Sequence, residues 1–266
     1  MSDVPAEPAQ PCAAATVLDA VAGVPGWYEL PQIALNEYFI GLTHYPPLRM
    51  TGDLAEIGVH QGRSAIHLAM HLLPRQRLYL CDPSEHMAEV GRRVQAHAAG
   101  TVIAYRGLSQ LLDETDIPNA SCRFIRIDGE HSRRAIQHDM DLADRILRPN
   151  GIVNLDDFYN PVFAGLTAGL YAWLEQHPGR FEVLLAGFSQ GYLCRPGFVN
   201  LYMHHMRGLP DHLRANGFAD FSFNRSGPGS DCLTVGITGR RFDRDWLMEE
   251  TDYNDPAGPG GRVLTW

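Results

Sequence analysis

Three aspartates that could hold a cation each follow a predicted strand of this 266-residue chain. Asp128 comes directly after the apolar run 122–127, and Asp156 and Asp157 follow the run 152–155. The carboxyl ends of parallel strands meet at one edge of a sheet, so we expect the three carboxylates to converge. Converging carboxylates repel one another unless a cation lies among them. The pattern predicts a divalent ion with oxygen ligands, for which Mg²⁺ is the expected choice.

Asp157 and Asp128 also allow other roles, and the role of Asp128 depends on the nearby His131. Asp157 precedes Pro161 and could instead cap a helix. His131 follows Asp128 by three residues and could reach the same cleft as a general base, because an imidazole titrates near neutral pH. It could equally be an ordinary residue of the first helical turn, in which case Asp128 is the candidate base.

A strand, a glycine turn and a helix are predicted over residues 54–73. Residues 54–64 read L-A-E-I-G-V-H-Q-G-R-S, which places Glu56 in the strand ahead of Gly58 and Gly62. Such a turn brings backbone N–H groups and a helix N-terminus close to a ligand. Position 60 is His, so the middle glycine of G-x-G-x-x-G is missing, which argues against a bound pyrophosphate.

Asp82 ends the second predicted strand, where a carboxylate can accept hydrogen bonds from both hydroxyls of a ribose. Sites for nicotinamide cofactors and for S-adenosylmethionine (SAM) both use this device, so Asp82 does not choose between them. A purely structural role in the turn before Pro83 also stays open.

The elements that must position these residues alternate between strand and helix. Five successive strand–helix units predict an α/β fold with a doubly wound, mostly parallel sheet. Two later strands are expected to form its antiparallel edge. The predicted strands of this core cover residues 54–59, 77–82, 101–105, 122–127, 152–155, 181–185 and 192–195.

We divide the chain into three parts that build one domain. Residues 1–50 are expected to form a leader, disordered to about residue 15, and a helical lid over 32–43. Residues 51–197 form the core, and residues 198–266 form a C-terminal appendage with a long helix over 198–216 and a strand pair.

Composition excludes several functions. The net charge is −9 and no basic run is present, so nucleic acid is not expected as a partner. All 22 basic residues are Arg, which excludes a lysine general base, a Schiff-base lysine and a Walker A lysine. The five scattered cysteines are expected to be free thiols in a reducing compartment. We find no signal peptide and no apolar stretch of membrane-spanning length, and so expect a cytoplasmic protein.

Three motifs together resemble the class I SAM-dependent methyltransferases over residues 52–195. E-x-G-x-x-x-G-x-S runs from Glu56 to Ser64, D-G-x-H-S begins at Asp128, and L-x-P-x-G-I…D-D ends at Asp157. The resemblance is closest to small-molecule O-methyltransferases and extends to the magnesium-dependent enzymes that methylate antibiotic sugars.

This resemblance implies roles for individual residues. The metal ligands would be Asp128, Asp156 and Asp157. The antibiotic-sugar enzymes usually lack the D-G-x-H pattern, so His131 leaves the role of Asp128 open, and the lysine base of catechol-type enzymes is absent here. The residues implied to contact SAM are Glu56, Gly58, Gly62 and Ser64 around the methionine part, Asp82 at the ribose, Gly107 and Ser109 near the adenine, and Asp128.

We therefore expect SAM-dependent methyl transfer to a hydroxyl of a small molecule, either a natural product or its sugar, assisted by Mg²⁺. His131 or Asp128 would take the acceptor's proton. The alternatives are a nicotinamide-dependent oxidoreductase and a non-catalytic binding protein on the same fold. No membrane partner is expected, and a homodimer is the default expectation for oligomeric state.

Overall fold

The computed structural model of the chain describes residues 13–44, 51–218, 221–225 and 233–237. Most of the expected leader lies outside these ranges. The end of that segment is nevertheless ordered, because helix α1 (Ala14–Ala20) packs Ala14 and Val17 into the core. The sequence analysis missed this helix. Helix α2 (Leu30–His44) contains the predicted helix over 32–43.

The sheet has nine strands in the described residues, in the order β3-β2-β1-β4-β5-β7-β6-β9-β8. Strands β1 to β5 are parallel to one another, and β7 runs antiparallel to both β5 and β6. The strands are β1 (Asp53–Ile57), β2 (Arg77–Asp82), β3 (Thr101–Arg106), β4 (Cys122–Ile127), β5 (Leu147–Asp156), β6 (Glu182–Gly187), β7 (Gln190–Cys194), β8 (Phe221–Arg225) and β9 (Leu233–Ile237). The predicted mostly parallel, Rossmann-like sheet with an antiparallel edge is confirmed.

Helices cover both faces of the sheet because alternate strand residues point to opposite sides. Leu54 and Phe124 pack in one apolar cluster with α1 to α4, α7 and α8. Their neighbours Ala55 and Ile125 pack in a second cluster with α5 and α6. These helices are α3 (Arg63–Met70), α4 (Met87–Gln95), α5 (Arg133–Ile146), α6 (Ala164–Gln176), α7 (Val199–His205) and α8 (Leu209–Ala215).

The C-terminal part departs from the sequence analysis in one respect. The long helix predicted over 198–216 is interrupted, because Gly208 and Pro210 disfavour a continuous helix there and a 3₁₀ turn separates α7 from α8. The two strands that follow do form a pair, and β9 also pairs in parallel with β6. The appendage therefore extends the central sheet.

The β5 strand begins earlier than predicted. Residues 148–151 were expected to form a turn, but β5 is continuous from Leu147 and absorbs the extra residues as a register shift opposite β4. Cys81, Cys122 and Cys194 are buried free thiols as expected, while Cys12 and Cys232 lie outside the described residues. None of the described helices has the length and apolarity needed to cross a membrane.

Candidate functional site

A cavity of about 610 Å³ opens where β1, β2 and β4 end and where the chain turns after β3. Parallel sheets of this kind bind their ligands at this edge. The cavity lining includes five of the residues predicted to contact a cofactor, namely Gly58, Asp82, Gly107, Ser109 and Asp128.

Gly58 allows the chain to turn closely against β4. Its φ is +79°, and a Cβ at this position would lie 1.9 Å from the carbonyl oxygen of Asp128. A larger residue would therefore meet both backbone strain and a steric clash. This explains why the strand–turn–helix pattern needs glycine here.

Asp82 links this glycine turn to the end of β2. Its Oδ2 accepts hydrogen bonds from the backbone N–H groups of Val59 at 2.8 Å and His60 at 2.9 Å. Its Oδ1 accepts one from the N–H of Ser84 at 2.8 Å. A carboxylate has about four acceptor positions, so Asp82 can still accept a hydrogen bond from a ligand hydroxyl in the cavity.

A further carboxyl group in the cavity wall, that of Asp139, was not predicted from the sequence. Asp139 lies on α5, and its Oδ1 accepts a hydrogen bond from the Ser109 hydroxyl. Burial raises the pKa of Asp139 to about 6, although the hydrogen bond from Ser109 opposes the shift. The only sequence signal was that Asp139 occupies a position on the buried face of the predicted helix.

Three of the residues predicted to contact a cofactor lie outside the cavity lining. Ser64 donates a hydrogen bond to Glu56 Oε1 at 2.5 Å, and the Glu56 side chain is fully buried beneath the turn. A Cβ on Gly62 would lie 2.9 Å from Val90 Cγ1, so this glycine serves the packing of α3 against α4. In this structure Glu56, Gly62 and Ser64 support the turn and do not form the cavity wall.

Arg126 is the cation that the acidic residues surround. Its side chain is 1% exposed, and its Nη2 donates hydrogen bonds to Asp128 Oδ2 at 2.9 Å and Asp156 Oδ2 at 2.6 Å. Its Nε donates to Glu56 Oε1 at 3.1 Å. Its Nη1 binds the side-chain oxygens of Asn154 and Gln190 on the adjacent strands. One guanidinium thus ties together the ends of β1, β4, β5 and β7.

Arg126 was not predicted as a site residue, although the sequence contains a signal for it. Arg126 lies in β4 and Asp128 directly follows this strand, two residues later, so an extended backbone turns both side chains to the same side. Burial raises the pKa of Asp128 well above its usual range, and Asp156 adds to the shift while Arg126 opposes it. Glu56 and Asp156 are buried and Asp128 is partly exposed, and all three carboxyl groups share this one guanidinium.

The predicted set of three aspartates is therefore only partly brought together. Asp156 is held by Arg126 Nη2 and by the side-chain amide of Gln190. The atoms that converge belong to Asp128, His131 and Asp157, whose nearest ligand atoms lie within 4.8 Å of one another. The group with metal-ligand spacing contains His131 and lacks Asp156, whose role as a ligand stays a prediction.

His131 lies between the two acids of this set. Its Nε2 is 2.8 Å from Asp157 Oδ2, at ion-pair distance without hydrogen-bond alignment, and 3.7 Å from Asp128 Oδ1. Its ring stacks on Phe163 with 4.2 Å between centroids. Burial raises the pKa of Asp157, but its interactions with His131 and Asn160 outweigh burial and bring the pKa below the usual value.

Comparison with known proteins finds a similarity in the central part of the chain. Residues 55–158, less than half of the chain, match the family model described as a methyltransferase domain. None of the curated proteins is significantly similar in sequence.

Solved structures resemble the chain at low sequence identity. An O-methyltransferase from Bacillus cereus in complex with SAH is 20% identical with a TM-score of 0.48, over 69% of this chain and 90% of that one. The O-methyltransferase TomG from Streptomyces achromogenes, involved in tomaymycin synthesis and bound to SAM, is 19% identical with a TM-score of 0.46, over 69% of this chain and 89% of that one.

The family match spans the glycine turn, Asp82, Arg126 and the acids after β4 and β5. It thus covers most of the cavity at the carboxyl edge of the sheet, in a fold of the predicted Rossmann-like type. Residues 55–158 of this chain are therefore similar to a methyltransferase domain.

Proposed function

We propose that this domain transfers the methyl group of SAM to a hydroxyl of a small molecule, a natural product or its sugar. The observation that carries the proposal is the position of Asp128. This residue lines the cavity and also belongs to the set formed with His131 and Asp157. A proton acceptor therefore stands at the edge of the cavity in which the methyl donor would bind.

The cavity fits SAM by its own geometry. Asp82 offers acceptor positions for the ribose, and the same wall continues through Gly107, whose N–H donates to the Asp82 carbonyl oxygen at 3.1 Å, to Ser109. When bound, SAM supplies an activated methyl group, so the protein mainly has to align the acceptor and take its proton.

His131 is the residue that we assign to the proton transfer. Its ring is fixed by the stack on Phe163, and its side chain is 21% exposed although Nε2 itself is enclosed beside Asp157. Asp157 stabilises the imidazolium that forms when His131 takes a proton. Asp128 holds the other side of the pair and faces the cavity.

A divalent ion would be held by Asp128, Asp157 and His131. Two carboxylates and one imidazole suit an ion that accepts oxygen and nitrogen ligands, such as Mn²⁺, better than Mg²⁺, which prefers oxygen. When bound, the ion would act as a Lewis acid that lowers the pKa of the acceptor hydroxyl. His131 and Asp128 would then both serve as ligands and not as a free base.

The first test is calorimetric titration of SAM into the protein in EDTA, followed by titration of candidate acceptors with and without Mn²⁺ or Mg²⁺. We expect SAM to bind in EDTA. Acceptor binding that requires metal would support the ion at Asp128, and acceptor binding without metal would support His131 as a free base. Binding of a nicotinamide cofactor in place of SAM, or of no cofactor, would contradict the proposal.

The second test uses variants and any acceptor found in this way. His131→Gln and Asp157→Asn should lower turnover by about 10²- to 10⁴-fold, the usual contribution of a positioned acid or base. The affinity for SAM should stay within a few-fold, because neither residue lines the cavity. His204→Gln, at an exposed position of α7, is the matched control and should leave turnover unchanged. Unchanged turnover in His131→Gln would remove this residue from the mechanism.

A further inference from the structure

A second cluster of ionisable side chains lies between α2 and α3, away from the cavity. It consists of Glu37 on α2, His67 in the last turn of α3 and His71 directly after that helix. All three side chains are at most 1% exposed, and none of them lines the cavity. The proposed methyl transfer makes no use of this cluster.

The two imidazoles point at the same carboxylate oxygen. His67 Nε2 lies 2.6 Å and His71 Nε2 lies 2.8 Å from Glu37 Oε2. The other oxygen, Oε1, is buried and has no hydrogen-bond partner among the described residues. Two imidazole nitrogens and one carboxylate oxygen thus converge in one buried place.

The charge of Glu37 calls for a cation. No guanidinium in the described residues lies within ion-pair distance of this carboxylate. A carboxylate that is fully removed from water is stable only when a positive charge compensates it.

The spacing of the histidines is that of a helical metal-binding pair. Residues four apart lie on the same face of a helix, so both rings reach one point in space. His67 is also oriented from behind, because its Nδ1 lies 2.7 Å from the Tyr28 hydroxyl, which in turn accepts a hydrogen bond from Asn36 at 3.0 Å. An outer partner of this kind fixes the ring and the tautomer of a metal-ligating histidine.

We propose that Glu37, His67 and His71 bind a divalent ion of the zinc class, which fastens α2 to the methyltransferase domain. The donor atoms are two imidazole nitrogens and one carboxylate oxygen, which are ligand types that Zn²⁺ prefers, and a water would complete a tetrahedral set. The present nitrogen–oxygen distances are those of hydrogen bonds. With Zn–N and Zn–O bonds of about 2.0–2.1 Å in tetrahedral geometry, each pair has to open by roughly 0.6 Å.

The test measures metal binding by the full chain, produced without a histidine tag and stripped with EDTA. Zinc is returned, its stoichiometry is measured by elemental mass spectrometry, and its affinity is measured by competition with a chromophoric chelator. We expect one zinc per chain at this site and a rise in Tm upon zinc addition. Wild-type protein that takes up no zinc at micromolar concentrations would overturn the proposal without any variant.

Variants assign the ion to its ligands. His67→Gln and His71→Gln should each lower zinc affinity by more than about 100-fold, since even the loss of an outer partner costs about 10- to 100-fold. Tyr28→Phe removes the outer partner of His67 and should lower zinc affinity by about 10- to 100-fold. His131→Gln is the matched control, because it disrupts only an ion held at the Asp128 set. Zinc retained in both His67→Gln and His71→Gln would overturn the assignment, as would loss of the zinc-induced rise in Tm in His131→Gln.

Discussion

Two buried glutamates in this protein are compensated in different ways. Both Glu56 and Glu37 are fully buried, and each keeps one oxygen without a hydrogen-bond partner in the described residues. Glu56 is paired with the Arg126 guanidinium and with the Ser64 hydroxyl. Glu37 faces only the imidazoles of His67 and His71.

The difference separates a fixed cation from an exchangeable one. A guanidinium stays charged at any pH that the fold survives, so Arg126 keeps Glu56, Asp128 and Asp156 in place permanently. An imidazole can lose its proton or exchange it for a metal. The site around Arg126 is therefore preorganised, whereas the Glu37 cluster can respond to ions.

A third buried carboxyl group, that of Asp139, differs from both glutamates. Asp139 has no ion pair in the described residues, and its hydrogen-bond partner is the neutral Ser109 hydroxyl. Burial raises the pKa of Glu56 to about 7 and that of Asp139 to about 6, but only Glu56 has a guanidinium beside it. Asp139 should therefore show the pH dependence of an uncompensated acid most clearly.

The largest effect is expected from removal of the fixed cation. Arg126→Met leaves Glu56, Asp128 and Asp156 without their common partner, and should lower the free energy of unfolding by about 3–5 kcal/mol. Denaturant unfolding at neutral pH in EDTA measures this loss. If Glu56 is part of the penalty, Arg126→Met combined with Glu56→Gln should be more stable than Arg126→Met alone. A loss below about 1 kcal/mol would show that Arg126 does not organise the site.

A smaller and pH-dependent effect is expected at Asp139. Because its pKa is raised on folding, the folded state binds the proton more tightly than the unfolded state. The stability that depends on this group is highest below about pH 4 and declines until about pH 6. Asp139→Asn cannot ionise, so it should match the wild type near pH 4 and exceed it by up to about 3 kcal/mol at pH 8.

Thermal or urea unfolding across this pH range tests the prediction at Asp139. Ser109→Ala is a useful comparison, because it removes the hydroxyl and keeps the carboxyl, and should make the decline between pH 4 and 7 steeper. Parallel stability curves for the wild type and Asp139→Asn would show that the Asp139 pKa is unchanged by folding.

The smallest effect is expected at the exchangeable cluster when metal is absent. Glu37→Gln keeps an oxygen that can accept a hydrogen bond from one imidazole and removes the charge, so in EDTA it should cost about 1–2 kcal/mol. In the presence of zinc the difference from the wild type should grow, because only the wild type gains stability from the ion. An equal difference with and without zinc would place Glu37 outside any metal site.

Much of the fold could be predicted because its signals are local. The apolar runs of β2 and β4 were found with their observed bounds, and the glycine turn followed from Gly58. Helix α1 was missed because its composition resembles that of a disordered leader, and its order depends on the burial of Ala14 and Val17 against the core. The register shift that lengthens β5 likewise depends on its pairing with β4.

The candidate site was predicted less completely for the same reason. Asp82, Asp128 and Asp157 were singled out because each lies at or directly after the end of a strand, a property of neighbouring residues in the chain. Arg126, Asp139 and Glu37 were missed because each has a decisive partner 30 residues away. That His131 and not Asp156 joins the group with metal-ligand spacing has this origin too.

Local sequence patterns specify the alternation of strands and helices, the glycine turn and the edge of the sheet at which acidic residues collect. These features follow from side-chain periodicity and backbone freedom, which act over a few residues. Long-range packing selects which acids pair with Arg126, which acids lie beside His131, and the contact of Glu37 with two histidines. Those outcomes depend on burial, because a charge removed from water must find its partner wherever the folded chain supplies one.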